Sequence, residues 1–336
     1  MASAPVHRTL AATALLLAAT GANAQIVDPG LDRLEAELER LAGITEGTVG
    51  AAALHLESGR AVYLNRGEAF PMASTFKVPI AVQILHRVEQ GELSLDSIIE
   101  VRPTDLHPGS GTLTRLFDDP GVYLSIRNLL ELMLLISDNS ATDIMLRTAG
   151  GPDAVNARMA ALGVEGIRVD RPTSLLIADF VGVEGMPESG EFTNEEFREA
   201  ARALSDSARE AAAEAFATDP RDTATPEGMA DLLVQIYKGQ ALNAEHTELL
   251  LDVLKRVMTG TDRLKGMLPP GTEVGHKTGT IGGTSNDVGI IYLPDDAGHV
   301  VTVVMVKDGP DSDDRAHAIR QIARAVYDYF LFNPGV

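Results

Sequence analysis

Residues 273–306 read EVGHKTGTIGGTSNDVGIIYLPDDAGHVVTVVMV, and this stretch decides the fold. Three runs within it, 273–280, 288–293 and 300–306, predict three strands, because their Val, Ile and Thr residues fit a pleated sheet. Pro294, Asp295, Asp296 and Gly298 lie between the last two runs and are typical of a turn. The stretch therefore predicts consecutive antiparallel strands.

Both ends of the chain contribute to the same sheet. Apolar runs at 49–56 and 61–64 flank Ser58-Gly59, which predicts a hairpin. Leucines spaced by three and four over 31–41 predict an amphipathic helix, and the same spacing over 319–330 predicts a closing helix. We therefore predict an α/β (α+β) fold, in which terminal helices flank an antiparallel sheet built from the two ends of the chain.

The middle of the chain is expected to be almost wholly helical. Residues 129–136 are nearly continuous apolar sequence and predict a core helix, and 141–149 predict another that Gly150-Gly151 ends. Residues 184–219 are rich in Glu and Ala and predict one or two surface helices. That segment is either a solvated insertion or a lid, and the sequence favours the insertion.

These elements predict a domain organisation. Residues 25–66 and 262–336 are expected to form the sheet domain. Residues 67–261 are expected to form an all-helical domain inserted into it, with a long loop insertion at 172–221.

The first residues have the pattern of a secretory signal sequence. Arg8 precedes an apolar run of thirteen residues, 10–22, and Ala22-Asn23-Ala24 offers small residues where a signal peptidase cuts. We therefore predict a signal peptide over 1–24, cleavage after Ala24 and a periplasmic or secreted protein. The run is too short to span a bilayer, which needs about 20 residues, and no membrane span is expected.

Composition narrows the classes of partner. The 48 acidic and 28 basic residues give a net charge of −20, which argues against nucleic acids and anionic membranes. The chain has no cysteine, which excludes disulfides and thiol nucleophiles. None of its eight histidines has a His-Glu-x-x-His or similar spacing, so no metal and no cofactor are expected. We expect a monomer.

Ser74-Thr75-Phe76-Lys77 is the first motif that carries chemistry. A serine hydroxyl needs a neighbouring base to act as a nucleophile at neutral pH. A spacing of three places Ser74 and Lys77 on one face of a helix, and Lys77 alone among the six lysines has a serine three positions before it. We predict Ser74 as the nucleophile and a partly buried Lys77, its pKa lowered, as the base.

Ser137-Asp138-Asn139 is the second motif and follows the apolar run 129–136. Ser137 can pass a proton to a leaving nitrogen, and Asn139 can orient Lys77. Taken alone, the tripeptide could equally cap the next helix.

His276-Lys277-Thr278-Gly279-Thr280 is the third motif and ends the first predicted strand. Lys277 and the hydroxyls of Thr278 and Thr280 suit a substrate carboxylate, and Gly279 allows a substrate backbone to approach the strand edge. An ordinary edge strand followed by a turn would also fit this motif alone.

Together the three motifs resemble those of the class A β-lactamases, within the superfamily of penicillin-recognising serine hydrolases. The resemblance covers nearly all of the chain after residue 24 and includes segments 109–113, 221–226 and 284–287. It implies a β-lactamase/transpeptidase-like fold and a serine β-lactamase that opens lactam amides through an acyl-enzyme on Ser74. It also implies an oxyanion hole made by the backbone amides of Ser74 and Thr280.

One position departs from the family's pattern. Class A enzymes carry a loop glutamate that activates the deacylating water, and in the register of Arg168-Val169-Asp170-Arg171 its place holds Thr173. A threonine hydroxyl cannot act as a general base near neutral pH. We expect an Arg171–Asp222 ion pair to close the enlarged loop. Either deacylation of β-lactams is slow, or a carboxylate of the insertion replaces the glutamate, the candidates being Asp179, Glu184 and Glu188.

A second departure concerns substrate recognition. The segment around Ser285 lacks an arginine that many relatives use to hold the substrate carboxylate. Arg315 could replace it, although the pattern favours an arginine on the surface of the closing helix. Two alternatives to a β-lactamase stay open: a DD-peptidase or penicillin-binding protein acting on cell-wall peptides, and a β-lactam sensor without turnover. The expected substrate is therefore a small-molecule β-lactam or a D-Ala-D-Ala peptide.

Overall fold

The computed structural model describes Met1 and residues 28–333, so the predicted signal peptide and its cleavage site lie outside the described residues. Nine strands occur in the described part: β1 (Thr48–His55), β2 (Ala61–Leu64), β3 (Phe70–Pro71), β4 (Ile98–Val101), β5 (Val122–Ser125), β6 (Thr223–Ala224), β7 (Val274–Ile281), β8 (Thr284–Tyr292) and β9 (His299–Lys307).

Twelve α-helices accompany them in the same residues: α1 (Pro29–Ala42), α2 (Lys77–Glu89), α3 (Leu113–Leu116), α4 (Ile126–Leu135), α5 (Asn139–Ala149), α6 (Pro152–Ala161), α7 (Thr173–Val181), α8 (Asn194–Arg202), α9 (Asp206–Ala217), α10 (Pro226–Tyr237), α11 (Ala244–Lys255) and α12 (Ser312–Phe332). Within the described residues, no helix is long and apolar enough to cross a membrane.

Five strands form the main sheet in the order β2-β1-β9-β8-β7, and every neighbouring pair is antiparallel. The sheet is thus built from the two ends of the described chain, as the sequence predicts. The terminal helices α1 and α12 pack on it through a buried cluster that includes Leu38, Ile322 and Phe330. β7 is an edge strand, so one side of its backbone is free to meet other groups.

β8 begins four residues before the predicted position 288, at Thr284. The prediction was wrong there because Thr284 to Asp287 are polar, yet they are buried inside the fold and have partners. The Asn286 Nδ2 donates to the Pro71 carbonyl at 2.8 Å, and the Asp287 carboxylate contacts His276. Internal partners of this kind allow polar residues to occupy a buried strand.

The helices of the central region begin and end at recognisable caps. The Asp138 side chain accepts a hydrogen bond from the Ala141 N–H at 2.9 Å and so begins α5. Gly150, with a φ of 101°, ends it in the left-handed conformation that glycine favours. The region is less purely helical than predicted, since β3–β6 and β4–β5 form two short two-stranded sheets.

The acidic insertion folds as two helices, α8 and α9. The Thr193 hydroxyl accepts from the Glu196 N–H, while the Glu196 carboxylate accepts from the Thr193 N–H, and the two bonds together form a capping box. A small apolar cluster around Phe192 and Phe197 joins α8 to α7. The helix before it, α7, reaches the turn between β7 and β8, because a Cβ added at Gly282 would lie 2.9 Å from Cε2 of Phe180.

Candidate active site

Ser74 lies in a single 3-10 turn, Ala73–Phe76, that leads directly into α2. Ala73 has a φ of 46°, a left-handed backbone conformation that costs energy for a residue with a side chain. Hydrogen bonds hold this turn: the Asn286 Nδ2 donates to the Met72 carbonyl at 3.0 Å, and the Met72 N–H donates to the Asp222 carbonyl at 2.9 Å. The half-buried Ser74 is therefore presented on a strained and braced turn.

Two lysines converge on the Ser137 hydroxyl. The Lys77 Nζ and the Lys277 Nζ each lie 3.0 Å from Ser137 Oγ, although the three residues come from distant parts of the chain. Lys77 also donates to the Ser137 carbonyl at 2.8 Å and to Asn139 Oδ1 at 3.1 Å. The structure thus brings together four predicted residues, Lys77, Ser137, Asn139 and Lys277, beside the Ser74 turn.

Burial sets the protonation of both lysines. Neither side chain has any solvent exposure, and desolvation disfavours a charged ammonium. Burial, followed by the positive charge of Lys277, holds the pKa of Lys77 well below its usual range. Burial also lowers the pKa of Lys277 to about 7, against the opposing effect of the Asp287 carboxylate. Lys77 can therefore be a neutral base near neutral pH.

A loop holds the Ser137-Asp138-Asn139 motif in place. Ser137 itself has a φ of 60°. Asp138 accepts from the backbone N–H groups of Thr112 at 2.6 Å and Leu113 at 2.9 Å. The Ser110 hydroxyl donates to the Ser137 carbonyl at 2.6 Å and lies 3.2 Å from Asn139 Oδ1. Sequence reasoning missed this role of Ser110, for which the family-like segment 109–113 was the available signal.

Gly279 allows β7 to lie against the nucleophile turn. A Cβ at this position would lie 2.4 Å from the Met72 carbonyl oxygen and 3.0 Å from the Ser74 amide nitrogen, both too close for a real side chain. The Ser74 amide therefore lies beside the strand that carries Thr280. This is the placement that a two-amide oxyanion hole requires.

Arg263 places a positive charge at the C-terminal end of β7, and sequence reasoning missed this residue. Its Nη1 donates to the carbonyls of Gly279 at 3.1 Å and Asn286 at 2.9 Å, and its Nη2 donates to the exposed Thr280 hydroxyl at 2.6 Å. No local motif marks Arg263, because it reaches β7 from the preceding loop. The Thr278 hydroxyl is hydrogen-bonded to that of Thr259 at 2.6 Å.

The expectation for Arg315 was wrong. Its side chain is buried rather than on the helix surface, and its Nε donates to the Ser285 hydroxyl at 2.9 Å. It also donates to the carbonyls of Gly282 and Gly309. The contact with the Gly282 carbonyl ties the start of α12 to the turn between β7 and β8, so Arg315 braces that turn.

The loop departure is visible in the structure. The Arg171 Nε donates to the Asp222 carboxylate at 2.7 Å, in the predicted ion pair. Thr173 begins α7, is buried, and donates its N–H to Asp143 Oδ1 at 2.7 Å. Its hydroxyl has no hydrogen-bond partner among the described residues. Asp143, one helical turn after Asn139, is a second residue that the sequence motifs did not single out.

The three carboxylates considered as replacements lie elsewhere. Asp179 is bound by the guanidinium groups of Arg171 and Arg221. Glu184 is exposed beside α9, and Glu188 is exposed at a cavity of about 810 Å³ that Asp143 also lines. Within residues 28–333, none of the three hydrogen-bonds to Lys77 or Ser137, and no group of three or more metal-ligating side chains occurs.

Comparisons with known proteins agree with this geometry. The model of the "Beta-lactamase enzyme family" matches residues 33–330. The chain is 27% identical to Beta-lactamase VEB-1 of Pseudomonas aeruginosa, over 89% of this chain and 91% of that protein. It is 28% identical to the extended-spectrum beta-lactamase PER-1 of the same organism, over 89% of this chain and 87% of that protein.

Solved structures give the same result. A beta-lactamase from Chitinophaga pinensis is 29% identical, with a TM-score of 0.72 over 88% of this chain and 98% of that one. A point mutant of PBP-A, solved as an acyl-enzyme complex with penicillin G, is 26% identical, with a TM-score of 0.72 over 89% of this chain and 97% of that one. The family model covers most of the chain, and the chain therefore belongs to the beta-lactamase enzyme family.

Proposed function

We propose that the protein, as a serine β-lactamase, opens the lactam amide of its substrate through an acyl-enzyme on Ser74. One observation carries the proposal: the Ser137 hydroxyl lies 3.0 Å from each of two buried lysines, beside the strained turn that bears Ser74. A nucleophile, its base and a proton relay are the groups that acyl transfer to serine needs.

The first half-reaction uses the residues of the three motifs. Neutral Lys77 takes the Ser74 proton while Ser74 Oγ forms a bond to the lactam carbon. The amides of Ser74 and Thr280 stabilise the negative charge on the carbonyl oxygen, each such donor contributing about 3 kcal/mol. The carbon–nitrogen bond then breaks, and the Ser137 hydroxyl gives its proton to the leaving nitrogen and regains one from Lys77.

The C-terminal half of β7 is the part of the proposed site that recognises the substrate carboxylate. Arg263 donates to the Thr280 hydroxyl there, and Lys277 lies three positions earlier on the same strand, near enough for the charge of Arg263 to lower its pKa. Charge-assisted hydrogen bonds to a carboxylate are the strong ones, so this group favours anionic β-lactams.

The second half-reaction separates the candidate functions. Thr173 carries no base, Asp179 is bound by Arg171 and Arg221, and Glu184 and Glu188 are exposed. We expect hydrolysis of the acyl-enzyme to be slower than its formation. A peptidase acting on D-Ala-D-Ala peptides is the alternative, and the similarity to known beta-lactamases does not favour it.

One experiment tests the proposed function. The protein is incubated with a chromogenic cephalosporin, and its intact mass is followed over time. Repeated turnover through a transient adduct supports the β-lactamase. A stable adduct together with turnover of a D-Ala-D-Ala peptide would identify the protein as a peptidase instead. A stable adduct without any turnover would identify it as a sensor.

Lys277→Ala is expected to slow acylation by an anionic β-lactam about 10- to 100-fold, in line with the ~1.5–3 kcal/mol of a hydrogen bond to a charged group. The matched methyl ester lacks the carboxylate and should lose much less. Stopped-flow acylation rates for the acid and the ester measure this ratio. Equal losses for both would assign Lys277 to the proton relay instead of recognition.

The rate of acylation is expected to follow a bell-shaped pH profile. The rate falls with decreasing pH as Lys77 gains a proton and ceases to be a base. It falls with increasing pH as Lys277, with a pKa of about 7, loses the charge that binds the carboxylate. Plots of kcat/KM against pH should show both limbs for the acid, whereas the ester should lack the alkaline limb. An alkaline limb of equal size with the ester would contradict this assignment.

We also propose export and a monomeric state. Export rests on the apolar run 10–22 and the Ala22-Asn23-Ala24 site. Mass spectrometry of the protein recovered from the periplasm should find Gln25 as its first residue. An uncleaved N-terminus would contradict export. Light scattering at micromolar concentration should find a monomer, and a dimer would contradict the monomeric state.

A further inference from the structure

Within residues 28–333, every hydrogen bond of the Lys77 side chain goes to the second motif. Its Nζ donates to the Ser137 carbonyl at 2.8 Å, lies 3.0 Å from Ser137 Oγ and donates to Asn139 Oδ1 at 3.1 Å. These three partners match the three N–H groups of an ammonium. To take the proton of Ser74, Lys77 must therefore turn away from at least one of them.

The oxygens that Lys77 would leave are buried. Ser137 and Asn139 each keep only 5% of their surface exposed. A buried acceptor that loses its donor costs more free energy than the hydrogen bond contributed, because water does not replace the donor. The movement of Lys77 toward the nucleophile is therefore opposed unless a second donor serves the same oxygens.

Ser110 supplies a second donor to both oxygens. Its hydroxyl donates to the Ser137 carbonyl at 2.6 Å and lies 3.2 Å from Asn139 Oδ1. A hydroxyl proton rotates to suit its surroundings, so it can serve whichever oxygen Lys77 has left. In the part of the chain that the structure describes, Lys77 and Ser110 are the two side chains that donate to this pair of oxygens.

The loop around Ser110 fits closely against the second motif. Gly109 has a φ of 100° and Gly111 a φ of 117°, backbone conformations that glycine adopts at little cost. A Cβ at Gly109 would lie 2.5 Å from Asn139 Nδ2, and one at Gly111 would overlap the Asp138 carboxylate. The Ser110 carbonyl also accepts the Asn139 N–H at 3.0 Å. The backbone on both sides of Ser110 therefore fixes the position of its hydroxyl.

We propose that Ser110 is a positioning residue of acylation, whose hydroxyl keeps the acceptors of Lys77 hydrogen-bonded while that lysine takes the proton of the nucleophile. The proposal deepens the proposed function, on which it rests. The hydroxyl of Ser110 acts through the Ser137 carbonyl and Asn139 Oδ1 rather than on a reacting atom.

The same hydroxyl favours the neutral form of Lys77. An ammonium has one more N–H than an amine, so acceptors without another donor stabilise the charged form. Because Ser110 already serves these acceptors, its removal should raise the pKa of Lys77. The charges that act on Lys77 are Lys277 on β7, Asp138 before α5 and Asp143 on α5, and removing a neutral hydroxyl changes none of them.

The direct test measures the proton on Lys77. In protein with ¹³C-labelled lysine, Lys77→Met identifies the signal of Lys77 among the six lysines. We expect Ser110→Ala to raise its NMR titration midpoint by about 0.5 to 1 pH unit, the shift that corresponds to one neutral hydrogen bond.

Thr114→Val is the matched control for this measurement. The Thr114 hydroxyl, on α3 next to the loop, lies 2.6 Å from the His107 carbonyl and 2.9 Å from the Ser140 hydroxyl, and neither of these binds Lys77. The substitution removes a hydroxyl that braces the same region and keeps the size of the side chain. It should leave the Lys77 midpoint unchanged.

The kinetics of acylation give a second readout. At a saturating concentration of β-lactam, Ser110→Ala should be acylated about 3- to 10-fold more slowly, the effect of one neutral hydrogen bond. The half-saturating concentration should change little, because the loss arises when Lys77 moves and not when the substrate binds. The acid limb of the pH profile should move to higher pH by the same amount as the NMR midpoint.

A pair of variants of equal size isolates the hydroxyl, and it also serves if Ser110→Ala does not fold. Ser110→Thr keeps the hydroxyl, whereas Ser110→Val replaces it by a methyl group. We expect Ser110→Thr to retain the wild-type rate and acid limb, and Ser110→Val to behave as Ser110→Ala does.

An unchanged Lys77 midpoint in Ser110→Ala would overturn the proposal even if acylation slows, since a mere brace of the loop would change the rate without moving the proton. Equal rates and acid limbs for Ser110→Thr and Ser110→Val would overturn it as well. Failure of the proposed function looks different. The wild-type protein would then form no adduct with a β-lactam, while the NMR midpoint would still report on Ser110.

Discussion

Ser74→Ala is expected to abolish covalent labelling by a fluorescent penicillin. Among the described residues, the group best placed to take over is the Ser137 hydroxyl, since it too lies 3.0 Å from Lys77 and from Lys277. The Ser74 amide, however, has Gly279 of β7 packed closely against it, so the proposed oxyanion hole would lie at Ser74 rather than at Ser137. A penicillin carbonyl placed at Ser137 would lack those donors.

The control for this result is Ser137→Ala, which should still be labelled, more slowly, and only at Ser74. Peptide mapping of the adduct identifies the labelled residue. Lys77→Ala should keep the fold and slow labelling by several orders of magnitude, because a base and its nucleophile act as a unit. Labelling of Ser74→Ala at an undiminished rate would remove the assignment of the nucleophile.

The sequence predicts most of this fold because its signals are local. The strands β7 and β9 follow from runs with β-favouring Val and Thr residues, and α1 and α12 follow from helical spacing. The three motifs also identify four residues that the structure brings together, namely Lys77, Ser137, Asn139 and Lys277. Local spacing identifies each motif. The expectation that the three motifs converge on one site comes from the resemblance to a known family.

The residues that sequence reasoning missed act over long distances in the chain. Arg263 binds atoms of Gly279, Thr280 and Asn286, and no pattern within its own segment reveals those partners. The same holds for the polar start of β8, where burial of Asp287 depends on His276 across the ladder. Hydrophobic periodicity cannot predict a buried polar pair, because each member alone is typical of a turn or a surface.

Thr173→Glu is expected to accelerate hydrolysis of the acyl-enzyme by at least about 100-fold, within the range typical of a positioned general base. Thr173 begins α7, is buried, and has a hydroxyl without a partner among the described residues, so a polar side chain there is not already engaged. Its backbone N–H is fixed by Asp143, which holds the start of the helix in one position. Single-turnover kinetics with mass detection of the Ser74 adduct measure the effect.

Asp143 complicates that variant in a way that can be used. Its carboxylate accepts the N–H groups of Thr173 and Ser174 and would lie beside the carboxyl introduced by the substitution, so the two negative charges would repel. Repulsion raises the pKa of the introduced carboxyl, and the accelerated deacylation should then fall off as the pH decreases. Adding Asp143→Asn removes the charge and leaves an acceptor for only one of the two N–H groups, and we expect the acid limb to move to lower pH.

Matched controls separate a base from a change of shape. Thr173→Gln has the size of the glutamate variant without a basic group, and it should deacylate at the wild-type rate. Rapid turnover of the wild-type adduct would point to a base supplied by the insertion. In that case one of Asp179→Asn, Glu184→Gln or Glu188→Gln should trap the acyl-enzyme. Asp179 is bound to Arg171 and Arg221, so its neutralisation should loosen the loop and slow acylation as well. Trapping with unchanged acylation would instead assign the base to the insertion. Rapid deacylation in all three variants would assign it to Lys77, whose pKa is lowered as activation of a water requires, or to a residue outside these four.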